Sequence, residues 1–186
     1  MKKYSLGLAL FISILSAFIT PAKVDAQRYS RLTRHEEKVI DDAKMAKQQF
    51  VRQDASMQDM FDNSYGYVVF PNVGKGALGI GGALGTGIVY ERGKMIGKAS
   101  MKQLNIGFQA GGQAYREVIF FKNRAALDRF RDNNFEFSAR TSAVAVRNGS
   151  AMDTKYRNGV VVFTQEKGGL MWEASVGGQR FDYASF

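Results

Sequence analysis

The sequence predicts an α+β domain in which an N-terminal amphipathic helix packs on a strongly curved, mainly antiparallel β-sheet or half-barrel. Three patterns lead to this prediction. Apolar residues recur at helical spacing between residues 31 and 53, and from residue 65 onward they alternate with a period of two. The glycine-rich stretch 71–90, read at period two, has one bulky face and one nearly bare face, which favours a strongly coiled strand.

Residues 1–26 are typical of a secretory signal peptide. Lys2 and Lys3 form the positive start, an apolar stretch follows at residues 6–19, and Val24 to Ala26 is a small-residue cleavage site. The apolar stretch is short for the ~20 residues that span a bilayer, and an uncleaved anchor is the alternative. We therefore expect one domain at residues 27–186, exported to the periplasm or the extracellular space or held peripherally on the outer membrane.

Three helices are expected from apolar stripes and capping signals. Thr33 and Glu36 have capping-box spacing at the start of the first helix. Ser56 and Asp59 repeat this spacing before a short second helix, and Asn123 can cap a third helix at residues 124–131. The apolar stripe of the first helix predicts that the helix packs on the sheet, with a position on a membrane surface as the alternative, and that the histidine is a half-buried packing residue. The members of this stripe are Leu32, His35, Val39, Ala43, Ala46 and Phe50.

The remaining segments are predicted to be strands separated by turns. Asn148-Gly149 and Asn158-Gly159 are strong signals for two-residue hairpin turns, because type I′ turns need positive φ at both central residues. The period of two predicts strands at residues 65–70, 78–90, 94–101, 106–121, 135–146, 151–156, 159–164, 170–176 and 179–185.

The glycine-rich stretch is interpreted as structural rather than as a phosphate loop. Gly74, Gly76 and Gly79 match the dinucleotide pattern G-x-G-x-x-G, but four more glycines follow where that motif requires a helix. The uncharged run 76–90 is also too short to span a membrane. We expect the bare face to admit a close neighbouring backbone or helix, so that valine at Gly81 or Gly85 would unfold the domain.

Three segments together resemble the SYLF domain family. They are "VVFPNVGKGALGIGGALGTGIVYERGKMIG", "NIGFQAGGQAYREVIFFKNRAALDRF" and "DTKYRNGVVVFTQEKGGLMWEASVGGQRF", and the likeness extends over residues 35–182. The resemblance implies a bacterial secreted member of a lipid-binding family with a compact α+β domain and no known catalysis. Eukaryotic members bind phosphoinositides through a basic, amphipathic N-terminal segment, and some bundle actin.

The residue inventory favours a binding module over an enzyme. The chain has one histidine and no cysteine, so it cannot assemble a histidine-based metal cluster or a Ser-His-Asp triad, and we expect no cofactor. Three lysines and one aspartate leave with residues 1–26, which lowers the formal charge from +9 to +7. A basic exported protein is expected to meet anionic lipid. No nucleic-acid module is recognisable, and an exported chain would seldom meet actin.

The predicted function is binding of anionic membrane lipid through a basic surface. Lys94, Lys98 and Lys102 share one strand face at period two, about 13 Å apart, and their alternative role is an ordinary solvated face. Further candidates are Arg28, Arg31 and Arg34 near the first helix and, through the resemblance, Lys75. Two alternative functions stay open, a carrier of a small apolar ligand and a structural envelope protein.

Overall fold

The computed structural model describes residues 32–75, 82–103, 114–132, 142–145, 155–167, 174–175 and 178–186. Within these residues the helices are α1 (Arg34–Gln53), α2 (Met57–Asn63) and α3 (Arg124–Arg131). The strands are β1 (Gly66–Lys75), β2 (Ala83–Glu91), β3 (Lys94–Gln103), β4 (Ala114–Phe121), β5 (Ser142–Ala145), β6 (Val160–Glu166), β7 (Ala174–Ser175) and β8 (Gln179–Ser185).

The eight strands form one open sheet in the order β7-β5-β6-β4-β1-β2-β3-β8. The six strands from β6 to β8 in this order pair antiparallel, whereas β5 pairs with β6 in parallel. The predicted class, an α+β domain with a mainly antiparallel sheet, is therefore confirmed.

Helices cover both faces of the sheet. On one face α1 buries Ile40, Ala43, Ala46 and Phe50, and Phe61 of α2 makes edge contacts with rings of β1 and β4. On the other face α3 places Phe130 against Phe121 and Phe181, with ring centroids 5.0 and 5.2 Å apart. Burial of these apolar side chains is the main stabilising contribution, about 1.5–3 kcal/mol for each large one.

The sheet is strongly curled toward α3. In a flat sheet β4 and β8 would lie about 19 Å apart, because three strands separate them at ~4.8 Å per step. Gln179 Nε2 on β8 nevertheless lies 3.0 Å from Glu117 Oε2 on β4. The face that carries α3 is thus concave, as the half-barrel prediction requires.

Two of the three capping signals act as the sequence predicts, and Ala43, Ala46 and Phe50 of the predicted apolar stripe of α1 are buried. Thr33 Oγ1 accepts from Glu36 N at 3.2 Å, Thr33 N donates to Glu36 Oε2 at 2.9 Å, and Asn123 Oδ1 accepts from Ala126 N at 3.0 Å. Ser56 makes no side-chain cap to α2. His35 is exposed rather than half-buried, because the first side chain that the helix buries is that of Ile40.

The described strands differ from the predicted ones mainly at their ends. β1 continues five residues past Phe70, through an irregularity in its pairing that contains Pro71, a residue tolerated in sheets at bulges. Asn158 and Gly159 have φ of 51° and 77° and form the predicted two-residue turn, yet only Arg157 and Val160 pair across it. Residues 155 and 156 are not in a strand, because β4 and β5 already occupy the two edges of β6. The Asn148-Gly149 turn lies outside the described residues.

The described glycines of the bare face have close neighbours, as the structural interpretation expects. A Cβ at Gly87 would lie 2.7 Å from both Phe70 Cδ1 and Val69 O, and a Cβ at Gly85 would lie 3.1 Å from Val73 Cγ2. Phe70 and Val73 therefore occupy the space beside these two glycines on the concave face. Gly81 lies outside the described residues.

Candidate functional site

The three lysines of β3 do not form one row. Lys94 is opposite Glu91 on β2 and Lys98 is opposite Ile88, because β3 contains one additional residue, Ile96, in its pairing with β2. Residues 88 and 91 of β2 are three positions apart and so point to opposite faces of the sheet. Since paired residues share a face, Lys94 points away from Lys98 and Lys102, which corrects the prediction of a shared face.

Two of these lysines form ion pairs with carboxylates of the same domain. Lys98 Nζ lies 2.5 Å from Glu36 Oε1 on α1, and Lys102 Nζ lies 3.9 Å from Asp182 Oδ2 on β8. The hydrogen bond from Lys98, together with those from Thr33, holds the pKa of Glu36 at about 2. Lys98 therefore ties the start of α1 to the convex face of the sheet, and less of its charge is available to an external anion.

The other predicted basic residues are spread along the chain. Arg34 is the exposed first residue of α1, and Lys75 ends β1 opposite Ala83. Arg28 and Arg31 lie outside the described residues. The described candidates thus belong to three different elements, α1, β1 and β3.

A different cationic pair lies on the convex face beside α1. Arg116 of β4 is opposite Gln165 of β6, whose Oε1 accepts from Arg116 Nη1 at 3.3 Å. Lys167 lies two residues beyond Gln165, and its Nζ donates to Asn72 Oδ1 at 3.1 Å. Gln165 Nε2 in turn donates to Gln49 O at 3.2 Å, which fixes this pair against α1.

The charges of the Arg116–Lys167 pair repel each other and are only partly compensated. Burial, followed by the charge of Arg116, lowers the pKa of Lys167, whereas Asp42 acts in the opposite direction. Burial also lowers the pKa of Arg116. In the part of the chain that the structure describes, no carboxylate lies within 4.0 Å of either cation. An anion placed between them would relieve this repulsion.

A second polar group lies on the concave face and is almost completely buried. We call it the interior polar cluster; its side chains are 0–4% exposed and belong to Gln103, Tyr115, Glu117, Thr164 and Gln179. Gln179 Nε2 donates to Glu117 Oε2 at 3.0 Å and to Gln103 Oε1 at 3.4 Å, and Tyr115 OH donates to the same Gln103 oxygen at 3.3 Å. These bonds join β3, β4 and β8 across the inside of the curled sheet.

Burial controls the ionisation of the two acidic groups in this cluster. It raises the pKa of Glu117 to about 8, although the hydrogen bond from Gln179 opposes the change. It also raises the pKa of the Tyr115 hydroxyl far above its usual range, with the charge of Glu117 adding to the effect. Glu117 therefore holds a proton at neutral pH unless a positive charge comes next to it.

Sequence reasoning missed both groups although a signal was present. In "AYREVIFF", Arg116 and Glu117 are adjacent charged residues inside an otherwise apolar central strand. Because successive side chains of a strand alternate between its two faces, these two residues point to opposite faces of the sheet. Charged residues are rarely buried without a partner, so this pair marked both faces as candidate sites.

The structure adds two observations on the class of site. Among the described residues, no three metal-ligating His, Cys, Asp or Glu side chains are grouped. None of the helices in this part of the chain has the length and apolar character that crossing a bilayer requires. The fold is thus an α+β domain with two unusual polar groups, the interior polar cluster and the Arg116–Lys167 cation pair. The cation pair, which lies on the convex face beside α1, is the more exposed of the two.

Comparison with known proteins places this domain in a family. Residues 102–184 match the family model Ysc84, described as "Las17-binding protein actin regulator". Beta cell expansion factor A from Aeromonas veronii is 30% identical over 125 residues, which are 66% of this chain and 47% of that relative. The chain thus spans about half the length of this relative. These matches confirm the resemblance seen in the motifs, because the Ysc84 model describes the SYLF domain, a binding domain that is linked to lipid and to actin in its family.

Proposed function

We propose that this chain is an exported, non-enzymatic module that binds anionic lipid headgroups, with the Arg116–Lys167 pair as the principal contact. The observation that carries the proposal is the position of two cations on the convex face, where Gln165 holds Arg116 and Asn72 holds Lys167. Burial, followed by the charge of Arg116, lowers the pKa of Lys167, and no carboxylate lies within 4.0 Å of either cation among the described residues. A phosphate group bound there would remove the repulsion, which favours the bound state.

The surroundings of the pair suit a headgroup. Arg116 is partly buried and hydrogen-bonded to Gln165, so its guanidinium is held in place before a ligand arrives. Lys167 is exposed and its ammonium donates to Asn72, whose side chain is also exposed. A rigid guanidinium next to a mobile ammonium offers directional and non-directional contacts to the same anion.

The basic residues identified in the sequence remain secondary contacts in this proposal. Lys94 and Arg34 are exposed and make no ion pair with a carboxylate within the described chain. Lys98 and Lys102 are partly neutralised by Glu36 and Asp182. Lys75, Arg28 and Arg31 extend the list of candidates. The rival carrier function is less favoured, because Phe70 and Val73 fill the space beside Gly85 and Gly87.

Liposome flotation tests the proposal. Wild-type protein is floated with phosphatidylcholine vesicles that contain or lack phosphatidylglycerol, at low and high salt. We expect the protein to bind only the anionic vesicles. High salt should weaken this binding, because it screens the exposed charges. An R116Q/K167Q double variant should lose about 2 kcal/mol, roughly 30-fold in partitioning, since each cation near an anionic surface contributes ~1 kcal/mol.

The matched control is K122Q/K155Q, which removes the same charge from two exposed lysines elsewhere. It should lose less than about threefold, the size of a general charge effect. Equal losses in the two double variants would show that net charge alone, and not this pair, drives binding. Wild-type protein that ignores anionic vesicles at low salt but sediments with actin filaments would instead support the actin-binding function known in the family.

A further inference from the structure

The interior polar cluster leaves three buried oxygen atoms without hydrogen-bond partners among the described residues. They are Glu117 Oε1, Thr164 Oγ1 and Gln179 Oε1. A buried polar atom without a partner costs about 1–3 kcal/mol, so three in one cluster are a substantial destabilisation. Buried oxygen atoms normally have a partner, so we expect the protein to bind a ligand at these three atoms.

The three oxygens belong to one place in the fold. Glu117 and Thr164 are directly opposite each other on β4 and β6, and paired side chains on one face lie about 5 Å apart. Gln179 contacts the Glu117 carboxylate from β8. Gln179 Nε2 donates to both Glu117 Oε2 and Gln103 Oε1, which holds the amide of Gln179 beside the Glu117 carboxylate.

The charge of the cluster is also unbalanced. Among the described residues, burial and the Gln179 amide are what influence the pKa of Glu117, and no lysine, arginine or histidine contributes. Tyr115 is the other titratable side chain in the described part of this cluster, and it is neutral. A carboxylate at 0% exposure is strongly disfavoured unless a proton or another positive charge compensates it.

We propose that the interior polar cluster binds one monovalent alkali cation, with Glu117 Oε1, Thr164 Oγ1 and Gln179 Oε1 as its ligands. All three atoms are hard oxygen donors, which suit alkali and alkaline-earth ions rather than metals that prefer nitrogen or sulfur. One carboxylate with two neutral oxygens balances a single positive charge, whereas tight calcium sites use several carboxylates. Binding would join β4, β6 and β8 and so stabilise the curled sheet.

This inference is independent of the lipid proposal, because the cluster lies on the concave face and the Arg116–Lys167 pair on the convex face. Its test is thermal unfolding of the full chain in sodium, potassium and tetramethylammonium chloride at equal ionic strength. The pH is set near 8.5, since protons compete with metal ions for a carboxylate. We expect the midpoint to rise with sodium or potassium concentration in a saturable way, and not with tetramethylammonium.

Two neutral substitutions and one control make the test specific. E117Q keeps the shape of the side chain and removes its charge, so the difference between the salts should disappear. T164V should weaken the apparent cation affinity at least fivefold, about 1 kcal/mol. E37Q, which removes an exposed carboxylate from α1, should respond to the salts as wild type does.

A direct measurement does not depend on the stability of the variants. The sodium NMR signal should broaden in the presence of wild-type protein and narrow again when potassium displaces the bound ion. The same midpoint in all three salts, together with no broadening, would overturn the proposal and leave a proton or ordered water as the occupant of the cluster. Broadening that persists in E117Q would also overturn it, because the ion would then bind elsewhere.

Discussion

Gln179 Nε2 on β8 donates to Glu117 Oε2 on β4 over 3.0 Å, although three strands separate β8 from β4 in the sheet. This bond joins two distant parts of the sequence inside the concave face. It places an amide donor next to a completely buried carboxyl group, whose pKa is raised to about 8 by burial. The stability of the domain should therefore depend on the ionisation of one residue.

The first prediction concerns pH. Because the pKa of Glu117 is higher in the folded state than its ordinary value of 4.5, the native protein holds a proton that the unfolded chain releases. The stabilisation is present below about pH 4.5 and is lost as pH rises toward about 8, by up to about 5 kcal/mol. Urea unfolding from about pH 5 to about pH 9, in tetramethylammonium buffers, measures this loss.

The matched variant is E117Q, which should be the more stable protein near pH 9 and show a much flatter pH profile. Glu37→Gln serves as the control, since this carboxylate is exposed. A wild-type profile that coincides with that of E117Q would show that Glu117 does not titrate in this range.

The second prediction concerns the glycines of the sheet. Gly87→Ala should destabilise the domain by about 1–3 kcal/mol, because its Cβ would lie 2.7 Å from Phe70 Cδ1 and Val69 O. Gly74→Ala is the matched control, since a Cβ there has no atom within 4 Å. Chemical denaturation compares the two free energies of unfolding. Similar stability of both variants would contradict the close packing at Gly87.

The third prediction concerns the start of α1. Thr33→Ala removes the oxygen that accepts from Glu36 N and should cost about 1 kcal/mol of stability. Thr33→Ser keeps that oxygen and should restore most of the loss. The readout is the urea midpoint, with helix content followed by circular dichroism. If the serine variant is as unstable as the alanine variant, the lost methyl group and not the cap is responsible.

The fourth prediction separates the lysines of β3 from the convex cation pair. The triple variant K94Q/K98Q/K102Q should lose less than about fivefold in partitioning to anionic vesicles, although it removes three charges. The reason is that Glu36 and Asp182 partly compensate the charges of Lys98 and Lys102, and Lys94 points to the other face. A larger loss than that of R116Q/K167Q would make β3 the main contact surface.

Local signals in the sequence were sufficient for the elements themselves. The Thr33 and Asn123 caps, the positive-φ turn at Asn158-Gly159 and the change from helical to strand periodicity all depend on residues within a few positions of one another. The family, too, was recognisable from contiguous motifs. For this reason the class of fold could be derived from the sequence before any contact was known.

Only the tertiary structure decided which charged residues meet. One extra residue at Ile96 reverses the direction of the side chains in β3, so counting at period two placed Lys94 on the wrong face. Arg116 and Lys167 become neighbours because β4 pairs with β6, and Glu117 meets Gln179 because the sheet curls until β8 approaches β4. These arrangements follow from strand pairing and curvature across the whole domain, which short-range patterns do not encode.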